Sequence, residues 1–342
     1  MPALVRPPAS FDADRHLCYR RPDKVITMKE LALDGGISPI GVTAPFPLFS
    51  REAITELRRE ILSEEVLDKF TVSSYISAFQ GREYPQHVAP FVHAAWTSPE
   101  VLAAVSDAAG IDLVPVMDLE LGHVNYQLAQ PGRDGFLSTP HEPWAQPSPP
   151  EEQRRRAQEL ADADDGTGET NVMFHHDSYP FVCVLMLSDC ENMIGGETAL
   201  KTGDGRIVKA RGPSVGSCVV MQGRHISHAA LRAYGVGERI TMVTSFRARD
   251  PMVHDGSVLS TIHPISKANR LNYHWSVYRL KLLSERFATM ASLLEKKKEL
   301  LPADDDEDGR GGSEVVDVDE MSQWIDQQVS YLVNTKTQLM LQ

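Results

Sequence analysis

Phe181-Val182-Cys183-Val184-Leu185-Met186-Leu187 is an unbroken apolar run of strand length, and it sets the reading of the sequence around it. Downstream, Gly195-Gly196-Glu197-Thr198-Ala199-Leu200 reads as a turn entering a strand, and Gly203-Asp204-Gly205 as a hairpin-type turn. Gly212-Pro213 precedes a second run, Cys218-Val219-Val220-Met221. Beyond it, Gly237-Glu238-Arg239-Ile240-Thr241-Met242-Val243-Thr244-Ser245-Phe246 carries Ile240, Met242 and Val243 as a half-buried strand would. Many short β-branched segments punctuated by Gly and Pro indicate a β-sandwich or a double-sheet jelly roll.

The same interval is framed by residues that bind metals. Phe174-His175-His176-Asp177-Ser178 lies upstream of the first run, and a strand sends residues two apart to one face. His175 and Asp177 can therefore offer an imidazole and a carboxylate to one ion. His228, 51 positions after Asp177 in Ser227-His228-Ala229-Ala230, supplies a second imidazole from a remote strand. Two histidines and one carboxylate on one face of an octahedron leave three positions open, the pattern of non-haem Fe(II) sites. His176 points to the opposite face and is read as a residue that supports the ligands from behind or simply packs. His225 is the rival distal ligand, but three residues from His228 it falls on the other face of a regular strand.

Residues 171–250 resemble the catalytic core of the Fe(II)/2-oxoglutarate-dependent oxygenases, in their prolyl-hydroxylase-like branch. The resemblance rests on H-x-D (His175, Asp177), G-G-E-T (Gly195 to Thr198), the distal histidine (His228) and G-x-R (Gly237, Arg239). It implies a double-stranded β-helix core, mainly β with helical flanks, and Fe(II) held by His175, Asp177 and His228. It also implies 2-oxoglutarate as co-substrate, O2 as oxidant and succinate as product. Arg239, 11 positions after His228, takes the place of the family's carboxylate anchor, and Thr241 completes an R-x-S/T pair. A guanidinium gives a dicarboxylate a charged, bidentate partner. Only His228 gives the family spacing to Arg239, whereas Arg247 and Arg249 lie further along the strand as surface or cap residues. In the family a tyrosine on the strand read here at 119–128 often contacts the co-substrate, which makes Tyr126 a candidate; an ordinary core aromatic is the alternative. Asp177 argues against halogenation, because related halogenases replace the carboxylate by a small residue. Hydroxylation, desaturation and oxidative cyclisation remain. The flanks resemble fungal natural-product oxygenases, which points to secondary metabolism and to an amino acid or natural-product intermediate as substrate. A protein-modifying hydroxylase and a cupin-type metal-binding protein without oxygenase activity are the competing readings.

Composition narrows the partners. A formal charge of −13 over 342 residues argues against nucleic acid, whose phosphates need clustered Lys and Arg. The four cysteines (Cys18, Cys183, Cys190, Cys218) form no C-x-x-C pair, as in a reduced, intracellular protein. Met1 to Pro8 lacks a signal-peptide core, and no apolar stretch is long enough to span a bilayer. The expectation is a cytoplasmic enzyme acting on a small molecule.

The chain divides into an arm with supporting helices at 1–118, the core at 119–250 and a helical extension at 251–342. Residues 1–25 read as irregular. Ser50 caps a helix carrying Ile54, Leu57 and Ile61, and Ser98-Pro99 opens another that Gly110 ends. Leu119 through Leu128 reads as a core strand with Asn125, Tyr126 and Gln127 toward the pocket. The Pro-rich stretch at 130–170 reads as a lid or insertion with a short helix, its Arg154-Arg155-Arg156 triplet a solvated face. In the extension, Leu280, Leu283, Phe287, Met290 and Leu294 mark one helical stripe, and Met321, Ile325, Val329 and Leu332 a second. An acidic, Gly-containing linker, Asp304 to Gly312, joins them. These stripes would pack on the core or pair two copies in a homodimer.

Overall fold

A computed structural model of the chain describes residues 10–74, 77–128, 130, 132–164, 172–210, 214–300 and 315–341. The acidic linker at 304–312, the Gly212-Pro213 turn, the first nine residues of the arm and the end of the insertion lie outside the described residues.

Eight strands form the core: β1 (His123–Leu128), β2 (Val172–His175), β3 (Phe181–Met186), β4 (Thr198–Lys201), β5 (Ile207–Ala210), β6 (Ser217–Met221), β7 (Ser227–Ala230) and β8 (Glu238–Ala248). Strands β6, β3, β8 and β1 are neighbours in the larger sheet, and β5, β4, β7 and β2 form the smaller one. Every pairing is antiparallel. Except at the β4–β5 hairpin, each successive strand changes sheet. That winding is a double-stranded β-helix, the jelly roll that the short strands and Gly/Pro turns predict. Ile40–Thr43 and Val25–Thr27 widen the larger sheet at one side, Gln80–Gly81 and Thr71–Val72 at the other.

Period-two alternation divides the larger sheet into a packing face and a working face. Phe181, Cys183 and Leu185 of β3, with Ile240, Met242 and Phe246 of β8, enter the main apolar core. Val182 and Val184, with Arg239, Thr241, Val243 and Ser245, line a cavity instead. Three helices cover the packing face: α1 (Arg51–Ile61), α2 (Pro90–Thr97) and α3 (Pro99–Ala109). Their ends follow the sequence signals. Ser50 and Ser98 accept from the amides of Ala53 and Val101, and Gly110 closes α3 at φ 69°. The strand read at 119–128 begins only at His123, because Asp118–Glu120 forms a 3-10 turn. That turn brings Glu120 to 2.7 Å from Arg82 in a buried ion pair.

The described part of the 130–170 insertion works as a strap. Its residues do not line the cavity. Helix α4 (Glu151–Ala163) rests Ala157 and Ala161 against Ile194 and Tyr234, with Arg154, Arg155 and Arg156 exposed. Gln146 is buried, donating to Asp189 O and Glu238 O while its Oε1 accepts from the amides of Gly237 and Glu238. Arg58 of α1 reaches the same place, gripping Glu238 at 2.7 and 3.0 Å and donating to Pro140 O and His141 O. Strap and helix together fix the start of β8, immediately before Arg239. Removing one partner of a buried, fully bonded pair costs about 3–5 kcal/mol. Arg58→Met is therefore expected to lower denaturant-measured stability by about that amount; a midpoint within error of the parent would show that Glu238 is otherwise satisfied.

In the extension most of the sequence-read stripe residues face away from the buried side of their helices, Leu283 excepted. Helix α5 (Ala268–Leu300) buries Leu271, Trp275, Tyr278, Leu282 and Leu283 together with Arg279 and Arg286. Helix α6 (Val318–Leu339) buries Gln328, Tyr331 and Thr335. Leu280 and Phe287, and Ile325, Val329 and Leu332, are exposed. The buried seam is aromatic and cationic: Arg279 Cζ lies 3.4 Å from the Tyr331 ring centroid, with Arg286 Cζ at 4.4 Å. Buried Asp255 balances Arg279 at 3.1 Å. Guanidinium stacking hides charge inside a helix interface, so a search for aliphatic periodicity selects the opposite face. The two helices close on each other and on core residues Val116, Met117, Leu119 and Tyr179. No helix among the described residues is long and apolar enough to cross a membrane.

Candidate active site

His175 ends β2 and is the register partner of His228 on β7, so one rung of the smaller sheet brings both imidazoles to the cavity. Their ring centroids are 4.4 Å apart. Asp177 arrives differently from the sequence reading. It lies beyond the strand's end, and its amide donates to Gly223 O at 2.9 Å, which turns the carboxylate back toward the histidines. Asp177 Oδ1 is 3.3 Å from His175 Nε2, and Oδ2 is 3.4 Å from His228 Nε2. Cis ligands of an octahedral ion with bonds of about 2.1 Å stand roughly 3 Å apart, so these spacings suit one shared ion.

The hydrogen bonds behind the ligands fix the tautomers. His175 Nδ1 donates to Met173 O at 2.8 Å and His228 Nδ1 to Ile226 O at 2.9 Å. Each ring thus turns Nε2 inward, the orientation that outer-shell partners impose on metal-binding histidines. Asp177 Oδ2 is buried with no hydrogen-bond partner among the described residues. Three ligand atoms converging within 4.8 Å of one another, two imidazole nitrogens and a carboxylate oxygen, repel unless a cation joins them. The site's preference for positive charge shows in His175. Burial opposes its protonated form, but the Asp177 carboxylate and Met173 carbonyl outweigh burial and hold its pKa above the ordinary value. Burial pushes His228 down, with Asp177 opposing. Asp177 stays below the usual carboxylate range because His228 and His175 outweigh its burial. The donor set fits a divalent ion with open positions. His176 is exposed, and His225 sits in the turn before β7, outside the triad.

Gly223 is part of this geometry and has no signature in the sequence. A Cβ there would lie 1.8 Å from Asp177 Oδ2. The ligand carboxylate occupies the space a side chain would need. Gly223→Ala is expected to push Asp177 off the metal and weaken metal affinity more than the roughly 10–100-fold typical of outer-shell changes. A cobalt(II) titration matching the parent's would contradict this cradle.

Arg239 projects from β8 into the same cavity and is only 4% exposed. It has no ion-pair partner among the described residues; one terminal nitrogen reaches Gly196 O at 3.4 Å and its Nε is buried without a partner. Burial lowers its pKa, with Cys190 and Glu197 acting in the other direction. A buried, unpaired guanidinium is costly unless it receives an anion. Gly195 and Gly196 adopt φ 73° and 74°, the left-handed backbone that presents the Gly196 carbonyl to Arg239. Thr241, two residues on, is buried and lines the cavity beside it. Arg249 pairs with Asp112 at the surface, and Arg247 lies over Tyr278, so neither reaches the cavity.

Tyr126 does not. On β1 the inward residues are His123 and Asn125; Tyr126 faces outward, stacks near Phe79 and Phe136, and donates to Ile61 O at 2.8 Å. It is a core aromatic. The rest of the wall was not legible beforehand: Gln80 from the added strand, Glu120 and Tyr179, and Thr261, Ile262 and Ile265 from the segment between β8 and α5. Ile262 packs on Leu271 and Trp275, so the helical extension holds one side of the cavity in place.

No protein-family model matches the chain, and no curated protein matches it. Among solved structures, a Pseudomonas putida prolyl-4-hydroxylase is 15% identical, the match covering 65% of this chain and 97% of that one at a TM-score of 0.32. An oxidoreductase of the 2OG-Fe(II) oxygenase family from Burkholderia pseudomallei is 14% identical over 67% and 93% of the two chains, TM-score 0.36. The non-heme alpha-ketoglutarate-dependent epimerase SnoN from nogalamycin biosynthesis is 15% identical over 61% and 78%, TM-score 0.37. These likenesses are remote, and the functional reading rests on the site itself.

Proposed function

We propose that this chain is an Fe(II)- and 2-oxoglutarate-dependent oxygenase acting on a small organic substrate. The observation that carries the reading is one cavity containing both the convergent His175–Asp177–His228 triad and a buried guanidinium, Arg239, without an ion-pair partner among the described residues. A cupin-type binding protein would need the first and has no use for the second. His175, Asp177 and His228 would hold the iron through their inward atoms. Arg239, with the Thr241 hydroxyl beside it, would grip the far carboxylate of 2-oxoglutarate and point its keto acid end toward the triad. Bound iron supplies the activation of O2 that splits 2-oxoglutarate into succinate and CO2 and oxidises a C–H bond of the substrate.

The cavity has a volume of about 120 Å³. It is walled by both sheets, the Gln80 strand and the Thr261–Ile265 segment. A compact metabolite suits that enclosure better than a polypeptide segment, in keeping with an amino acid or natural-product intermediate. The test is anaerobic titration of the Fe(II) protein with 2-oxoglutarate, followed by succinate release on admitting O2 with a small-molecule panel. Absence of both the metal-to-ligand absorption band and succinate would overturn the reading.

A further inference from the structure

The cavity wall away from Arg239 carries a histidine whose protonation pattern is dictated by its neighbours. Gln80 Nε2 lies 2.8 Å from both Ser77 O and Ser74 Oγ. A backbone carbonyl only accepts, so that atom of Gln80 is the amide NH2, and Oε1 is an acceptor. Gln80 Oε1 lies 2.9 Å from His123 Nε2, which must therefore carry the ring proton and donate it. Burial, with Arg82 adding to it, pushes the His123 pKa down to about 3, so the ring holds a single proton at neutral pH. Nδ1 is then a bare acceptor, with no partner among the described residues, on a ring that lines the cavity.

His123 does not belong to the co-substrate's end of the cavity. Along the β1–β8 ladder Arg239 is opposite Gln127, and His123 is opposite Val243. Four residues of strand separate those positions by about 13 Å. His123 lines the same cavity as the triad residues His175, Asp177 and His228. Asn125 lines the same wall, while Glu120 beside it is committed to Arg82.

We propose that His123 reads the substrate, accepting a hydrogen bond through Nδ1 and thereby selecting molecules that carry an O–H or N–H donor near the carbon to be oxidised. Gln80 is a positioning residue, acting by fixing the tautomer. The inference deepens the oxygenase reading and rests on it. An unpaired acceptor in the cavity wall disfavours ligands that cannot donate, by roughly tenfold or more.

Two measurements test it separately from that reading. In zinc-loaded protein with 15N-labelled histidine, the His123 resonances, assigned by their loss in His123→Gln, are expected to show bare Nδ1 and protonated Nε2. Gln80→Met should shift both toward the average of two tautomers. A protonated Nδ1 in the parent would overturn the proposal whether or not the protein turns over 2-oxoglutarate. In the second, succinate release with Fe(II) and 2-oxoglutarate is followed across amino acids, amino alcohols and hydroxy acids and their O-methyl ether or N-trimethylated counterparts, in which that donor is removed. Methylation is expected to cost the active compounds roughly tenfold or more in kcat/KM in the parent. His123→Phe should erase that difference, and His123→Gln, which offers an amide acceptor, should restore part of it. Equal turnover of donor and methylated compounds by the parent, or undiminished discrimination in His123→Phe, would overturn it. Loss of 2-oxoglutarate binding in the parent would instead defeat the oxygenase reading.

Discussion

Asp177→Ala is expected to abolish 2-oxoglutarate turnover while the metal-free protein keeps its fold. The carboxylate supplies one of three ligand positions and the site's negative charge. Its loss should exceed the roughly 10–100-fold cost of disturbing an outer-shell group. Stability should fall only modestly. His228 and His175 hold the Asp177 carboxylate in its charged form in the metal-free protein, so alanine removes a favourable interaction there as well. The check is succinate formation together with a melt of the metal-free variant. Undiminished succinate would sink the triad assignment. His228→Ala should match Asp177→Ala in effect, whereas His225→Ala, in the turn before β7, should be far milder. The reverse ranking would mean that the distal ligand is His225.

What could be read from the sequence follows from how local each signal is. Apolar runs and Gly turns are local, so the strands of the jelly roll were visible in order, and caps at Ser50 and Ser98 marked their helices. His175, Asp177 and His228, which the structure brings within 4.8 Å of one another, could be singled out because a metal site demands particular side chains at a spacing. Tyr126 failed for a reason specific to strands. The reading turned Asn125, Tyr126 and Gln127 together toward the pocket, but side chains alternate with period two, so consecutive residues cannot share one face; Asn125 lines the cavity and Tyr126 faces the core. Asp177 looked like a strand residue because H-x-D fits alternation, yet it is placed by a backbone bond to Gly223. Gly223 itself was invisible, since its role is an absent side chain facing a carboxylate from a distant segment. The extension misled because its buried face uses Trp275, Tyr278, Tyr331 and stacked arginines, residues an apolar stripe does not count. Long-range packing, not local pattern, decided each of these.

The second large effect is expected at Arg239. Its guanidinium is buried, lines the cavity and lacks an anion partner among the described residues. The Arg58–Glu238 pair and Gln146 hold the start of its strand, so the charge is preorganised rather than induced. Arg239→Ala leaves a dicarboxylate without its main charged contact, which costs about 2–5 kcal/mol. That is roughly thirty- to several-thousand-fold in 2-oxoglutarate affinity. Iron binding uses other residues and should survive. Lysine should recover only part, because it offers a point charge in place of a planar fork. Removing the buried, unsatisfied guanidinium should not destabilise the empty protein, so the loss of affinity cannot be assigned to unfolding. The measurement is a 2-oxoglutarate titration of the anaerobic Fe(II) protein, read from the metal-to-ligand absorption band. Arg247→Ala, whose side chain lies over Tyr278 outside the cavity, is the control. If Arg247→Ala loses 2-oxoglutarate and Arg239→Ala does not, the anchor is Arg247. If neither variant differs from the parent, Arg239 serves no dicarboxylate and a metal-binding jelly roll without oxygenase chemistry becomes the better account.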